Sequence, residues 1–206
     1  MLLSNHATLV IDMQNAFCAE DGSFAQMVRG TELSIALNRA AIPNCARLIE
    51  ATREADAPVI YTRYVYQRGY SDRDILIRKY PGIVALNALA KDSWDADIIP
   101  ELSPADSDFV IDKSRYSAFQ STRLEALLHG LRVSTLVVCG VTTNICVEST
   151  AREAAQKDFD VVVASDATGE FTEQRHRNAL EILEYGFATV ASSDEIGGAI
   201  LAGQNA

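Results

Sequence analysis

Three side chains of this 206-residue sequence follow runs of aliphatic residues and together hold the elements of hydrolytic chemistry. Asp12 closes the run Ala7-Thr8-Leu9-Val10-Ile11, Lys113 follows Phe109-Val110-Ile111-Asp112, and Cys146 comes shortly after Thr135-Leu136-Val137-Val138-Cys139. A thiol attacks a carbonyl carbon as its thiolate, so it needs a neighbour to take its proton. A carboxylate serves as that base, and an ammonium group steadies the charges that form. Cys146 is expected at the start of a helix, where free backbone N–H groups and the positive end of the dipole lower a thiol's pKa and supply donors to an oxyanion. The set suffices for acyl transfer through a covalent intermediate.

Each residue alone has a plainer reading. An Asp after a strand often caps a helix or forms a turn, a lone Lys is usually solvated, and a lone Cys usually packs as a small hydrophobe. Cys45 and Cys139, inside an expected helix and an expected strand, take that last reading. Cys18, in a loop near Asp12, stays open. His6, His129 and His176 read as surface or capping residues, which leaves no imidazole to pair with a thiol. No closely spaced His, Cys and carboxylate set, G-x-G-x-x-G or P-loop is present, so neither a metal nor a cofactor is expected.

Composition narrows the partners. Eighteen basic against twenty-eight acidic residues give a net charge of −10, the wrong sign for neutralising phosphates, so no nucleic-acid partner is expected. The longest apolar runs, such as Leu136 to Val141, fall far short of the roughly 18 residues of a membrane helix. Residues 1–12 lack a basic region before an apolar stretch, so a cytoplasmic location with four reduced thiols is expected.

To bring the three residues together the chain must fold regularly, and its pattern alternates. Strands are expected at 7–12, 58–62, 108–111, 135–139 and 159–164, with a short β-rich run at 187–190. Helices are expected at 32–55, 121–131, 145–157 and 173–185. Strands that read as continuous Val, Ile and Leu runs between helices suit a parallel sheet covered on both faces. The expected fold is a doubly wound, three-layer α/β/α domain spanning residues 1–206, with a central, mostly parallel sheet of about six strands. Ligands bind such sheets beyond the carboxyl ends of the strands, where Asp12, Lys113 and Cys146 all lie. Residues 66–100 break the rhythm and read as a functional loop or lid.

Three segments carry a family likeness: Val10-Ile11-Asp12-Met13-Gln14-Asn15, Ile111 to Phe119, and Gly140 to Arg152. Their order and spacing resemble the isochorismatase-like cysteine hydrolase family over nearly the whole chain. The resemblance implies a catalytic triad of Asp12, Lys113 and Cys146, a cis peptide between Val141 and Thr142, and an oxyanion hole from the backbone N–H groups of Thr142 and Cys146. It also implies a homo-oligomer, a tetramer foremost. Nicotinamidases are similar but hold a metal with an Asp and two His after strand two. Tyr61-Thr62-Arg63-Tyr64-Val65-Tyr66 has no His, so that site is not expected. The wording Ser93-Trp94-Asp95, Tyr116 to Phe119 and Cys146 to Thr150 looks nearest to the ureido and carbamoyl amide hydrolases.

The expected activity is therefore thiol-dependent hydrolysis of a C–N bond in a small linear amide or ureide, such as biuret, ureidoacrylate or an N-carbamoyl compound, with release of ammonia. Two alternatives are an isochorismatase-type vinyl-ether hydrolysis with Asp12 as general acid and a nicotinamidase-like amidase. Phe17, Trp94, Tyr116 and Val141 are candidate pocket walls. Glu170, Phe171, Gln174 and Arg175 are candidate substrate contacts, the arginine suiting a substrate carboxylate.

Overall fold

The aliphatic runs become strands sealed from water on both sides. In the computed structural model, which describes residue 3 and residues 5–203, every position of β1 (His6–Ile11) and β4 (Thr135–Val141) is buried. With β2 (Val59–Tyr64), β3 (Phe109–Lys113), β5 (Asp160–Gly169) and β6 (Thr189–Ala191) they form one sheet of order β3-β2-β1-β4-β5-β6. All five strand pairs are parallel. The sheet is thus wholly parallel, with helices as its crossovers.

From β1 the chain steps outward through β2 to β3, then returns to the other side of β1 with β4 and proceeds to β5 and β6. Right-handed crossovers in opposite directions place their helices on opposite faces. Accordingly α3 (Ala36–Glu54) packs with the last helix, α9 (Ser193–Gly203), whereas α7 (Glu148–Gln156) packs with α8 (Glu173–Gly186). Shorter helices complete the chain: α1 (Asn15–Cys18), α2 (Ser23–Val28), α4 (Ile75–Lys79), α5 (Gly82–Ala85) and α6 (Leu124–Gly130). Among the described residues no helix is long and apolar enough to cross a membrane.

β1 and β4 meet where the strand order reverses, the place at which a doubly wound sheet opens a crevice. Gly140 makes that close approach possible. Its φ is +111°, and a Cβ there would lie 2.1 Å from the carbonyl oxygen of Ile11, so a side chain would force the two strands apart.

Several elements differ from the sequence pattern. Helices α1 and α2 are not among those expected, and residues 66–100, which read as a functional loop or lid, hold α4, α5 and 3-10 turns at Arg68–Tyr70 and Trp94–Ala96. Helix α9 has no counterpart among the expected elements, although Ser192 and Glu195 form a capping box ahead of it: Glu195 N donates to Ser192 Oγ (3.3 Å) and Ser192 N to Glu195 Oε2 (2.9 Å). Cys146 does not open a regular helix. It lies in a wide π-type turn, Thr143–Val147, with α7 beginning at Glu148.

Candidate active site

The three residues that the sequence places after separate strands converge at the carboxyl end of the sheet. Asp12 leaves β1 in the left-handed region (φ 49°) and is fully buried. Its Oδ1 accepts the Thr62 hydroxyl of β2 at 2.7 Å, and its Oδ2 accepts Lys113 Nζ at 2.6 Å. Lys113 has to reach across β2, about 10 Å of sheet at the usual strand spacing, and a long flexible stem is what permits this. All three ammonium protons are matched: to Asp12 Oδ2, to the Arg115 carbonyl at 3.0 Å and to Cys146 Sγ at 3.4 Å. The Tyr64 ring lies beneath the cation, 4.4 Å from its centroid.

Electrostatics follow from this packing. Burial works against the charge on Lys113, but the Asp12 carboxylate and the Cys146 sulfur beside it outweigh that and hold its pKa above the ordinary lysine value. Burial also pushes the Cys146 thiol well above its ordinary value; Lys113 opposes the shift, and Asp12, which hydrogen-bonds the thiol, adds to it. This corrects the expectation of a thiol acidified by a helix end. The π-type turn supplies no regular helix start at Cys146, and desolvation dominates.

The turn that carries Cys146 is stitched to its surroundings. The peptide between Val141 and Thr142 is cis. The Thr142 carbonyl accepts from both Ile145 N (3.1 Å) and Val147 N (3.2 Å). Thr143 Oγ1 donates to the Gly169 carbonyl (2.9 Å) and lies 2.9 Å from His176 Nδ1, so half-buried His176 braces the turn rather than capping or facing solvent. His6 too is buried, within β1, whereas His129 is exposed. Thr150 on α7 donates to the Cys146 carbonyl (2.7 Å) and accepts from Ala118 N (3.0 Å), tying the segment after β3 to the turn.

Above Cys146 opens a cavity of about 520 Å³. Thr142, Phe17, Tyr116, Glu170, Phe171 and Arg175 line it, as the sequence suggested. Three candidates do not. Trp94 is 54% exposed: its carbonyl holds Asn15 Nδ2 at 2.8 Å, while Asp95 turns inward to cap Ser23 and Leu89, leaving the indole outside. Gln174 pairs with Asn178 one turn on, along the outer side of α8, while Phe171 and Arg175 face the cavity. Val141 is sealed in β4, and the next residue, Thr142, lines the cavity instead. Cys18, Cys45 and Cys139 are buried.

Several lining residues lay outside the sequence reading: Phe24, Met27 and Val28 from α2, then Leu33, and Ile75, Leu76, Lys79 and Tyr80 on and just after α4. Spacing was their available signal, since Phe24/Met27/Val28 and Leu76/Tyr80 recur at helical intervals. Gln14, fully buried, takes a structural part: its amide bridges Tyr64 N (2.7 Å), Tyr64 O (3.0 Å) and Ala96 O (2.8 Å). Among the described residues no group of three His, Cys, Asp or Glu side chains is placed to hold a metal ion.

Known proteins share this arrangement of chain. A family model described as Isochorismatase domain matches residues 6–195. Nicotinamidase 3 of Arabidopsis thaliana is 34% identical over 192 residues, which span 92% of this chain and 86% of that protein. The ureidoacrylate amidohydrolase RutB of Azorhizobium caulinodans is 33% identical over 175 residues, spanning 79% and 75%. A crystal structure of a cysteine hydrolase from Pseudomonas syringae pv. phaseolicola matches with a TM-score of 0.86 at 27% identity, covering 98% of each chain.

Proposed function

The chain belongs to the isochorismatase family, and from that premise we propose that it is a thiol-dependent amidohydrolase cleaving the C–N bond of a small linear amide or ureide. The observation that carries the reading is the Lys113 ammonium bound at once to Asp12 (2.6 Å) and to Cys146 Sγ (3.4 Å). In the resting site the thiol keeps its proton, because burial disfavours the thiolate. As Sγ attacks the carbonyl carbon, Asp12 takes that proton, and Lys113 holds the carboxylate in place and balances the negative charge. The oxyanion is received by the backbone N–H groups of Thr142 and Cys146. Collapse breaks the C–N bond, ammonia leaves with the proton from Asp12, and a thioester remains. Water then attacks the thioester, Asp12 removes its proton, and the thiol is restored.

Two relatives support the amide class by the activities in their names, ureidoacrylate amidohydrolase and nicotinamidase. A nicotinamidase-like amidase is therefore the second reading. Vinyl-ether hydrolysis with Asp12 as acid leaves Cys146 without a task and ranks below both. The proposal includes a homotetramer and requires no cofactor.

Ammonia release from ureidoacrylate, biuret, N-carbamoyl amino acids, nicotinamide and simple amides tests the reading. Cys146→Ala is expected to lose at least about 10³-fold in kcat on any good substrate. Undiminished turnover in that variant would overturn the scheme, and pyruvate release from isochorismate surviving it would establish the vinyl-ether alternative.

A further inference from the structure

The cavity over Cys146 is larger than biuret, and much of its wall is apolar. About 520 Å³ lies within the range of roughly 300–1,000 Å³ that encloses drug-sized ligands, whereas biuret, a chain of a few heavy atoms, would leave most of it to water. Phe17, Phe24 and Phe171 form a continuous aromatic wall, with ring centroids 4.5 and 6.1 Å apart. Leu33 and Ile75 extend the apolar surface.

Polar side chains share the lining: Lys79 and Tyr80 on and just after α4, Asn144 in the turn that carries Cys146, and Glu170 and Arg175 after β5. Glu170 stands one residue beyond the last β4–β5 pair, Val141 with Gly169, and so lies beside Thr142. Its side chain is 2% exposed, and Oε2 has no hydrogen-bond partner among the described residues. Asn144 also lines the cavity, and its buried Oδ1 is a second acceptor without a partner among the described residues. Two unmet acceptors suit the two N–H donors of a terminal –CO–NH2 group, and leaving a buried acceptor unmet is costly. Arg175 Nη1 lies 3.7 Å from Glu170 Oε1, so the cation that the sequence offered to a substrate carboxylate already faces one. Burial raises the pKa of Glu170, against the opposing pull of the Phe171 backbone N–H and of Arg175.

Resting on the amidohydrolase reading, we propose that the substrate is a primary carboxamide or terminal ureide bearing a bulky apolar group. That group fills the aromatic chamber, and the terminal NH2 is held by Glu170 and Asn144. Hydrolysis of R–CO–NH2 forms the Cys146 thioester, breaks C–N and expels NH3; water then yields the carboxylic acid. From R–NH–CO–NH2 the same steps release NH3 and a carbamate, which decomposes to the amine and CO2.

The test measures ammonia release by wild type and Cys146→Ala across acetamide, butanamide, hexanamide and phenylacetamide, together with biuret, N-carbamoylglycine and N-methylphenylacetamide. Methylamine is assayed for the last. Wild-type kcat/KM should climb about fourfold per added methylene, the value of burying one. Phenylacetamide should exceed biuret and N-carbamoylglycine by at least about 100-fold, and its N-methylation should cost about tenfold or more. Glu170→Gln should raise KM for phenylacetamide more than it lowers kcat. Cys146-dependent turnover that is flat along the series, or fastest with biuret or N-carbamoylglycine, overturns the proposal and leaves the amidohydrolase reading standing. Absence of Cys146-dependent release from every amide and ureide, with phenylacetamide still failing to raise the Tm of Cys146→Ala, overturns both.

Discussion

Lys113 ties Asp12 and Cys146 into one unit, because its ammonium group donates to both and to the Arg115 carbonyl. The thiol it touches is desolvated, and that has a measurable consequence. Iodoacetamide labelling of Cys146 should keep accelerating above about pH 9, where an ordinary thiol of pKa about 8.5 levels off. A plateau below neutral pH would show a thiolate at rest and contradict the concerted proton transfer to Asp12. Glu170 gives a second prediction. Its folded pKa is raised above the unfolded value of about 4.3, so the group favours folding below that pH and becomes a net cost as pH rises through the folded pKa. Glu170→Gln should therefore raise Tm at pH 7, by about 2–4 °C for each kcal/mol relieved, with the gain shrinking toward pH 4. Equal or lower Tm at pH 7 would refute a destabilising carboxylate at this position.

Among the elements, α4 is tied by Asp74 to the tyrosines beneath Lys113. Asp74 caps it through Leu76 N (3.0 Å) and Ile77 N (3.4 Å), accepts the Tyr66 hydroxyl at 2.7 Å and also accepts that of Tyr64, whose ring carries Lys113. Losing the cap and leaving two phenols unmet should make Asp74→Ala cost about 2–4 kcal/mol. Because Ile75, Leu76 and Lys79 line the cavity, KM should rise along with the fall in Tm. A variant with unchanged KM would show that α4 does not hold substrate. The wide turn at Thr143–Val147 is a second such device, braced by Thr143, His176 and Thr150 rather than by its own helix.

For the molecule as a whole, the reversal of strand order between β1 and β4 creates the crevice, and the two halves of the sheet contribute opposite walls: α4 from one, Glu170 and Phe171 from the other. The proposed homotetramer is checked by light scattering, which should give the mass of four 22.4 kDa chains. A species of one chain at micromolar concentration would remove that part of the proposal.

Buried parallel strands declare themselves in sequence, since both faces must be apolar, and Ala7 to Ile11 and Leu136 to Cys139 could hardly be anything else. Asp12, Lys113 and Cys146 are legible in the sequence as polar residues that follow such runs, and the fold brings them into contact. The sequence by itself thus determined the strands of the sheet, the longer helices between them and the three polar residues that follow their apolar runs. Tertiary structure alone decided the rest. Strand order, the Thr62 and Tyr64 supports and the aromatic chamber arise from residues far apart in the chain, and no local period encodes which distant side chains meet. Trp94 and Gln174 face outward while Phe24 and Tyr80 face the cavity, according to the turn or helix face on which each lies. The state of the Cys146 thiol follows likewise from burial, a property of the assembled fold rather than of any segment.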